Sequence, residues 1–393
     1  MSLLSLPPEL LLKIFAHALP SPVDPLLVVP LTLIHSSLTP IAHQFQFVDL
    51  ILHSDRQAKL LVNTSAFLRH AASTRSLKFD AGRGKGIGTG GIGSEETIEG
   101  KWLEQILNAI ESAYSRDKGE SRSEPRLREL DVKDCKGFRS SVLQGESLKN
   151  LKKLRMGTGV IFDSPRQFED DFNQPNTDLQ PTWDCFLFNL ESLTLENNHW
   201  ESLSDEFLSC LFFSSCANSL EVLDLSSLYS IGSLSGLLKY PPHNFASIKE
   251  VSLPPAETFS QILFSCLLVD LTRSLTYLEL PNLSDPASSI LLLPFFRSIE
   301  RNSHKILEIG FKNFPSQALI DSILIVLQGL FGGPPGSTEA ESSKAGLKRL
   351  RMLKIRNTAE VSRLIERDGE LVVDLIGQFG CEVAYGKYER AAV

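Results

Sequence analysis

The chain has 393 residues, 42% of them hydrophobic and 22% charged, with a formal net charge of -8. That size and balance suit a globular protein with a large core and room for two or more domains. The acid excess argues against general nucleic-acid binding, and no apolar run approaches the roughly 18 residues that a membrane span needs.

In chain order, the first expected element is a short amphipathic helix within "LPPELLLKIFAHALP". Pro7-Pro8 pre-set the backbone for a first helical turn, and Glu9 sits where a helix dipole favours negative charge. Leu10, Leu11, Ile14, Phe15 and Ala18 recur at helical spacing, and Pro20 and Pro22 end the run. The same stretch has the outline of a secretory leader. However, no Lys or Arg precedes residue 13, Glu9 and Lys13 interrupt the apolar core, and Pro7-Pro8 break it, so the helix is expected to be retained. A second helical stretch is expected over about Leu31 to Phe45, then a strand-like "FVDLIL" from Phe47. A segment this short has too little core to stand alone and must pack on the rest of the chain or on another protein.

From Thr74 onward one pattern keeps returning: apolar, two variable residues, apolar, one variable, apolar. Its copies are "TRSLKF" from Thr74, "LRELDV" from Leu127, "LKKLRM" from Leu151, "LESLTL" from Leu190 and "LEVLDL" from Leu220. They continue as "IKEVSL" from Ile248, "LTYLEL" from Leu275 and "ILEIGF" from Ile306. A last copy fits a start at either Leu347 or Leu350, and "CEVAY" from Cys381 reads as a closing strand. The period-2 part of each copy predicts a short strand with one buried face. Helices are expected between copies at Trp102 to Tyr114, Leu203 to Phe213, Thr258 to Leu271, Ala287 to Glu300 and Ser316 to Leu327. A lone strand–helix unit cannot bury its apolar face, whereas stacked units share a continuous core. The expected fold class is therefore α/β: a small helical module over 1–52, then a solenoid over 53–393 with flexible insertions near 81–97, 116–126, 163–182 and 332–346.

The repeated segment resembles the leucine-rich repeat in an irregular, long-repeat form. The copy at Leu190 places Asn198, and the copy at Leu127 places Cys135, where that family has an asparagine or cysteine. The N-terminal segment resembles the F-box: "LPPELLLKIFAHALPS" matches its opening helix, and "LTLIHSSLTPIAHQFQFVDLILHS" its second half. Where the family often has a tryptophan preceded by a basic residue, this chain has Leu38 and His35. The resemblance implies a horseshoe-shaped, non-catalytic substrate-recognition subunit of an SCF-type ubiquitin ligase. It would dock a Skp-type adaptor, and through it a cullin complex, using Leu6, Pro7, Leu10, Ile14, Phe15, Leu19, Ile34 and Leu38. The alternative is a leucine-rich-repeat interaction scaffold that does not lead to ubiquitination.

Other stretches imitate chemistry without supplying it. "AGRGKGIGTGGIGSEET" carries GxGxxG at Gly88, Gly90 and Gly93, but Gly88 lies well past the strand end and no strand-end acid follows at the right distance. With no GK[ST] either, it reads as a glycine-rich insertion, and no cofactor is expected. The six cysteines form no CxxC pair and lie beside no histidine at metal spacing, so they read as reduced thiols with no metal site. Glu169-Asp170-Asp171 reads as a solvated loop. No catalytic constellation emerges, and a cytoplasmic or nuclear location is expected.

The strand pattern also suggests a target surface. Residues alternating with the buried leucines are expected to face outward, and among them Glu196, Asp224, Glu250, Glu279 and Glu308 are acidic, with Tyr277 as an aromatic contact. A wall of one sign selects a partner of the other, so a basic segment of an unidentified target protein is the expected ligand.

Overall fold

The computed structural model describes residues 6–18, 38, 45–81, 98–120, 125–157, 159–161, 186–197, 208, 211–212, 218–228, 243–255, 259–272, 274–280, 298, 308–311, 352–356 and 382–386. Two compact units divide the chain. The first comprises Met1–Asn173 and Cys185–Leu190, and the second Gln174–Asp184 and Glu191–Val393. The boundary expected at residue 52 falls inside the first unit, because the strand at its end joins that unit's sheet.

The first unit opens with helix α1, Pro8–Ala18. Strand β1, Asp49–Leu52, then pairs in parallel with β2, Ser76–Phe79. Strands β4, Glu129–Val132, and β7, Lys153–Met156, extend the parallel order to β1-β2-β4-β7. Two helices between β1 and β2 have no counterpart in the sequence reading: α2, Asp55–Val62, and α3, Ser65–His70. The start of α2 is capped reciprocally. Ser54 Oγ accepts from the Gln57 amide at 3.4 Å, and the Gln57 side-chain oxygen accepts from the His53 amide at 2.7 Å. The long helix α4, Gly100–Glu120, runs past Tyr114 into a stretch expected to be loop. Arg116 ties that extension down by donating to the backbone carbonyls of Ser112 and Leu68. Leu103, Ile106, Leu107, Ile110 and Ala113 bury one α4 face at helical spacing.

Two short parallel bridges flank this sheet: β3, Ile98–Glu99, with β5, Cys135–Lys136, and β6, Phe138–Arg139, with β8, Val160–Ile161. The backbones approach closely here. A Cβ on Gly159 would lie 2.1 Å from the Cys135 carbonyl oxygen, and one on Gly157 would lie 2.2 Å from that of Lys133.

The second unit holds a parallel sheet in sequence order. Its strands are β9, Ser192–Asn197; β10, Val222–Leu228; β11, Glu250–Ser252; β12, Tyr277–Leu280; β13, Glu308–Phe311; β14, Met352–Arg356; and β15, Glu382–Gly386. The strands start in one register, with Ser192, Val222, Glu250, Tyr277, Glu308, Met352 and Glu382 opposite one another in turn, and the β9–β10 pair shifts register between Asp224 and Ser227. Strands β9 to β13 each begin two residues after the first apolar residue of their motif, and the same offset before Met352 selects Leu350 over Leu347 for the copy at β14. Helix α5, Phe259–Leu271, agrees with the expected Thr258 to Leu271. It is apolar nearly all round, and such a helix belongs in a core; Phe264, Leu268 and Val269 are buried, and the Phe264 ring lies 6.4 Å from that of Phe212. Of the other expected helices, 208, 211, 212 and 298 are helical. The stretch at Ser316 to Leu327 and the insertions at 82–97, 163–182 and 332–346 lie outside the described residues. The molecule is thus mixed α/β with parallel strands, as the sequence suggested at that level.

Candidate functional site

Helix α1 sorts its apolar residues onto two sides. Leu11 and Phe15, one turn apart, are buried together with Leu38, and Leu6 and Phe45 pack against them. The Phe15 and Phe45 rings meet edge-on with centroids 6.3 Å apart, a favoured aromatic geometry. Leu10 and Ile14, also one turn apart, are 45% and 40% exposed, and Pro7 is exposed ahead of them. The sequence grouped Phe15 and Leu38 with Leu10 and Ile14 as one docking face. The structure corrects this: Phe15 and Leu38 anchor the helix to its own chain, with Leu6 half-buried beside them, and among the described side chains of residues 6–18 the apolar ones left open are Pro7, Leu10 and Ile14. Leu19, Ile34 and His35 lie outside the described residues.

A second apolar feature lies beside β1. A hollow of about 470 Å³ is lined by Phe47, Ile51, Gln57, Leu60, Leu61 and Thr64, among others. Ile51 is 48% exposed and Leu60 61%. The sequence reading passed over it. The available signal was Leu60-Leu61: adjacent leucines on one short helix cannot both face a single core.

The expected acidic wall is corrected at its centre. Asp224, Tyr277 and Glu279 are buried, with Glu279 at 0% exposure, and Ser252 and Pro254 are buried beside them. Alternation fails because all four residues of β12 are buried: this strand is covered on both faces, as strands of parallel sheets commonly are. Some of the buried groups hydrogen-bond to one another. Glu279 Oε2 accepts from the Tyr277 hydroxyl at 3.3 Å and from Ser252 Oγ at 3.2 Å. Asp224 Oδ1 accepts from the Ser226 amide at 3.1 Å and its hydroxyl at 2.7 Å. Gly310 makes room for this arrangement, since a Cβ there would lie 2.1 Å from the Tyr277 hydroxyl. Glu196, Glu250 and Glu308 are half-buried.

The corresponding face of the first unit is more open and carries both signs. Lys153 pairs with Glu129 at 3.0 Å and Arg155 with Asp131 at 3.7 Å, each across β4 and β7. Burial pushes the Asp131 carboxyl up, against the pull of Arg155, the Lys133 amide and nearby lysines. Such partly exposed pairs contribute little to stability. Cys135, buried in β5, has its thiol pushed up to about 12 by burial first and then by the Asp55 and Glu104 carboxylates, which suits an inert structural thiol. Asn198 lies outside the described residues. Among the described residues, no group of three or more His, Cys, Asp or Glu side chains could hold a metal ion, and no helix is long and apolar enough to cross a membrane. No protein-family model matches the chain, and no curated protein sequence matches it.

Proposed function

We propose that this chain is a substrate-recognition subunit of an SCF-type ubiquitin ligase, an F-box-like module followed by an irregular leucine-rich-repeat solenoid. The N-terminal helix would hold a Skp-type adaptor, and the strand-bearing segment would hold a target protein. Its contribution to the reaction is positional: it brings a target lysine near a charged ubiquitin carrier and raises their effective concentration. The observation that carries this reading is the division of labour on α1. Leu11 and Phe15 fix the helix to Leu38 and Phe45, while Pro7, Leu10 and Ile14 stay open in one stripe. The parallel strands in one register, each led by the same apolar spacing, support the repeat half of the reading.

Changing Leu10 and Ile14 together to Asp tests it. Both sites are exposed, so the fold should tolerate the charges within about 0.5 kcal/mol each. In a dry interface each lost apolar contact costs about 2 kcal/mol, with the cost of desolvating the new charge added. Binding to a purified Skp-type adaptor should disappear with the circular dichroism spectrum unchanged. Retained binding in the double variant would rule out α1 as the docking element.

A further inference from the structure

We propose that the edge of the first unit's sheet where β2, β4 and β7 begin holds an acidic segment of a partner protein. This goes beyond the adaptor contact proposed above and does not depend on it. Arg75, Arg128 and Lys152 each stand one residue ahead of one of these strands. Backbone bonds set them side by side: the Arg128 amide donates to the Arg75 carbonyl at 2.7 Å, and the Lys152 amide to the Arg128 carbonyl at 2.8 Å. The pairing of Ser76 with Glu129 and of Glu129 with Lys153 continues the same register. Neighbouring strands lie about 4.8 Å apart, so the three backbones span roughly 10 Å. Arg75 and Arg128 are exposed. Two more exposed cations join this edge, because Asn150, next to Lys149, donates to the carbonyl of Pro125, next to Arg126, at 2.9 Å. The ion pairs of β4 with β7, Lys153 with Glu129 and Arg155 with Asp131, use the positions that follow.

Like charges on adjacent strands destabilise a sheet. At the same motif position the second unit pairs opposite charges: Glu221 and Lys249, one residue ahead of β10 and β11, meet at 2.6 Å. The first unit instead gathers one sign. Residues 125–156 hold nine Lys and Arg against four Asp and Glu, in a chain whose net charge is -8. A bound anion offsets that repulsion, and the guanidinium fork matches a carboxylate. A nucleic acid fits less well. Duplex binders that make about six to ten phosphate contacts need a longer basic track, and Glu129 and Asp131 continue β4 from this edge, where they would repel a phosphate backbone.

The test measures binding of the full chain to a fluorescein-labelled Glu-rich peptide by anisotropy at low salt. The same peptide with Gln for every Glu, and a labelled DNA duplex, serve as comparisons. The variants are Arg75→Glu with Arg128→Glu, Arg128→Glu alone, and a matched charge reversal on two exposed α2 residues, Arg56→Glu with Lys59→Glu. The wild type should bind the Glu-rich peptide and not its Gln form, more weakly as salt rises. The double edge change should weaken binding at least about tenfold, and the α2 reversal by less than about threefold, since a local site and not net charge sets the affinity. Arg128→Glu alone should weaken binding with its urea midpoint at or above that of the wild type, because it places opposite charges on adjacent strands. If binding is lost only in variants whose midpoint falls, these residues act structurally and the inference is overturned. No binding of the Glu-rich peptide by the wild type, or equal weakening by the edge and α2 reversals, would also overturn it. Tighter binding of the duplex, lost in the double edge variant, would make the occupant a nucleic acid and overturn it as well.

Discussion

Replacing Tyr277 with Phe asks whether the polar face of β12 is closed to water. The change keeps the ring and removes one hydroxyl, the donor 3.3 Å from Glu279 Oε2. A net hydrogen bond is worth about 1 kcal/mol between neutral groups and about 1.5–3 kcal/mol to a charged one. A length of 3.3 Å lies beyond the usual range, so about 1.5 kcal/mol is expected. Glu279 is fully buried, so water cannot replace the lost donor without opening the strand. Each 1.4 kcal/mol is about a tenfold change in an equilibrium. Amide hydrogen exchange across 277–280 should therefore quicken by about tenfold if these amides exchange through local opening. Glu250→Gln is the matched control, because Glu250 lies opposite Tyr277 in register but is half-buried. It should shift exchange by less than about 0.5 kcal/mol. If Tyr277→Phe and Glu250→Gln behave alike, the face is open in solution and the closed cluster described here is wrong.

Other expectations concern close approaches and the buried thiol. Gly157→Ala and Gly159→Ala each drive a methyl into a backbone carbonyl oxygen that no rotamer change can move. Each should cost about 3 kcal/mol in urea unfolding. Gly145→Ala meets only the end of the Glu111 side chain at 2.8 Å, so a cost within about 1 kcal/mol is expected. Cys135 should resist thiol reagents at about pH 8 in the folded protein and react once unfolded. Its folded-state value is raised to about 12 from an ordinary 9.0, so the folded state holds its proton more tightly than the unfolded one. The stability this contributes is complete below about pH 9 and declines as pH climbs towards 12. Urea midpoints should then fall faster with pH for the wild type than for Cys135→Ala; parallel slopes would contradict the buried placement.

What the sequence made legible was what spacing encodes. The recurring motif marked nine strands from β2 through β14, and "CEVAY" marked β15, because the middle apolar residue of each copy must face a core. The motif at Leu347 or Leu350 stayed ambiguous because both frames place leucines correctly, and only pairing of Met352 with Glu308 decides it. Helix α5 was legible because apolar residues run through most of its length. Helix α2 was missed although its start carried a capping signal, Ser54 followed by Gln57. The division of α1 was half legible: helical spacing gave an apolar face, but which residues turn to their own chain depends on Leu38 and Phe45, distant in sequence. The acidic wall went wrong because alternation describes a sheet with one wet face, while β12 is buried on both.

The most direct measurement of the central claim is the affinity of the unmodified full chain for a purified Skp-type adaptor, read by calorimetry and by co-elution in gel filtration. The account predicts a one-to-one complex with a dissociation constant of about 1 μM or tighter, able to recruit the cullin subunit. A chain that elutes alone, folded and unbound at about 100 μM adaptor, would contradict it.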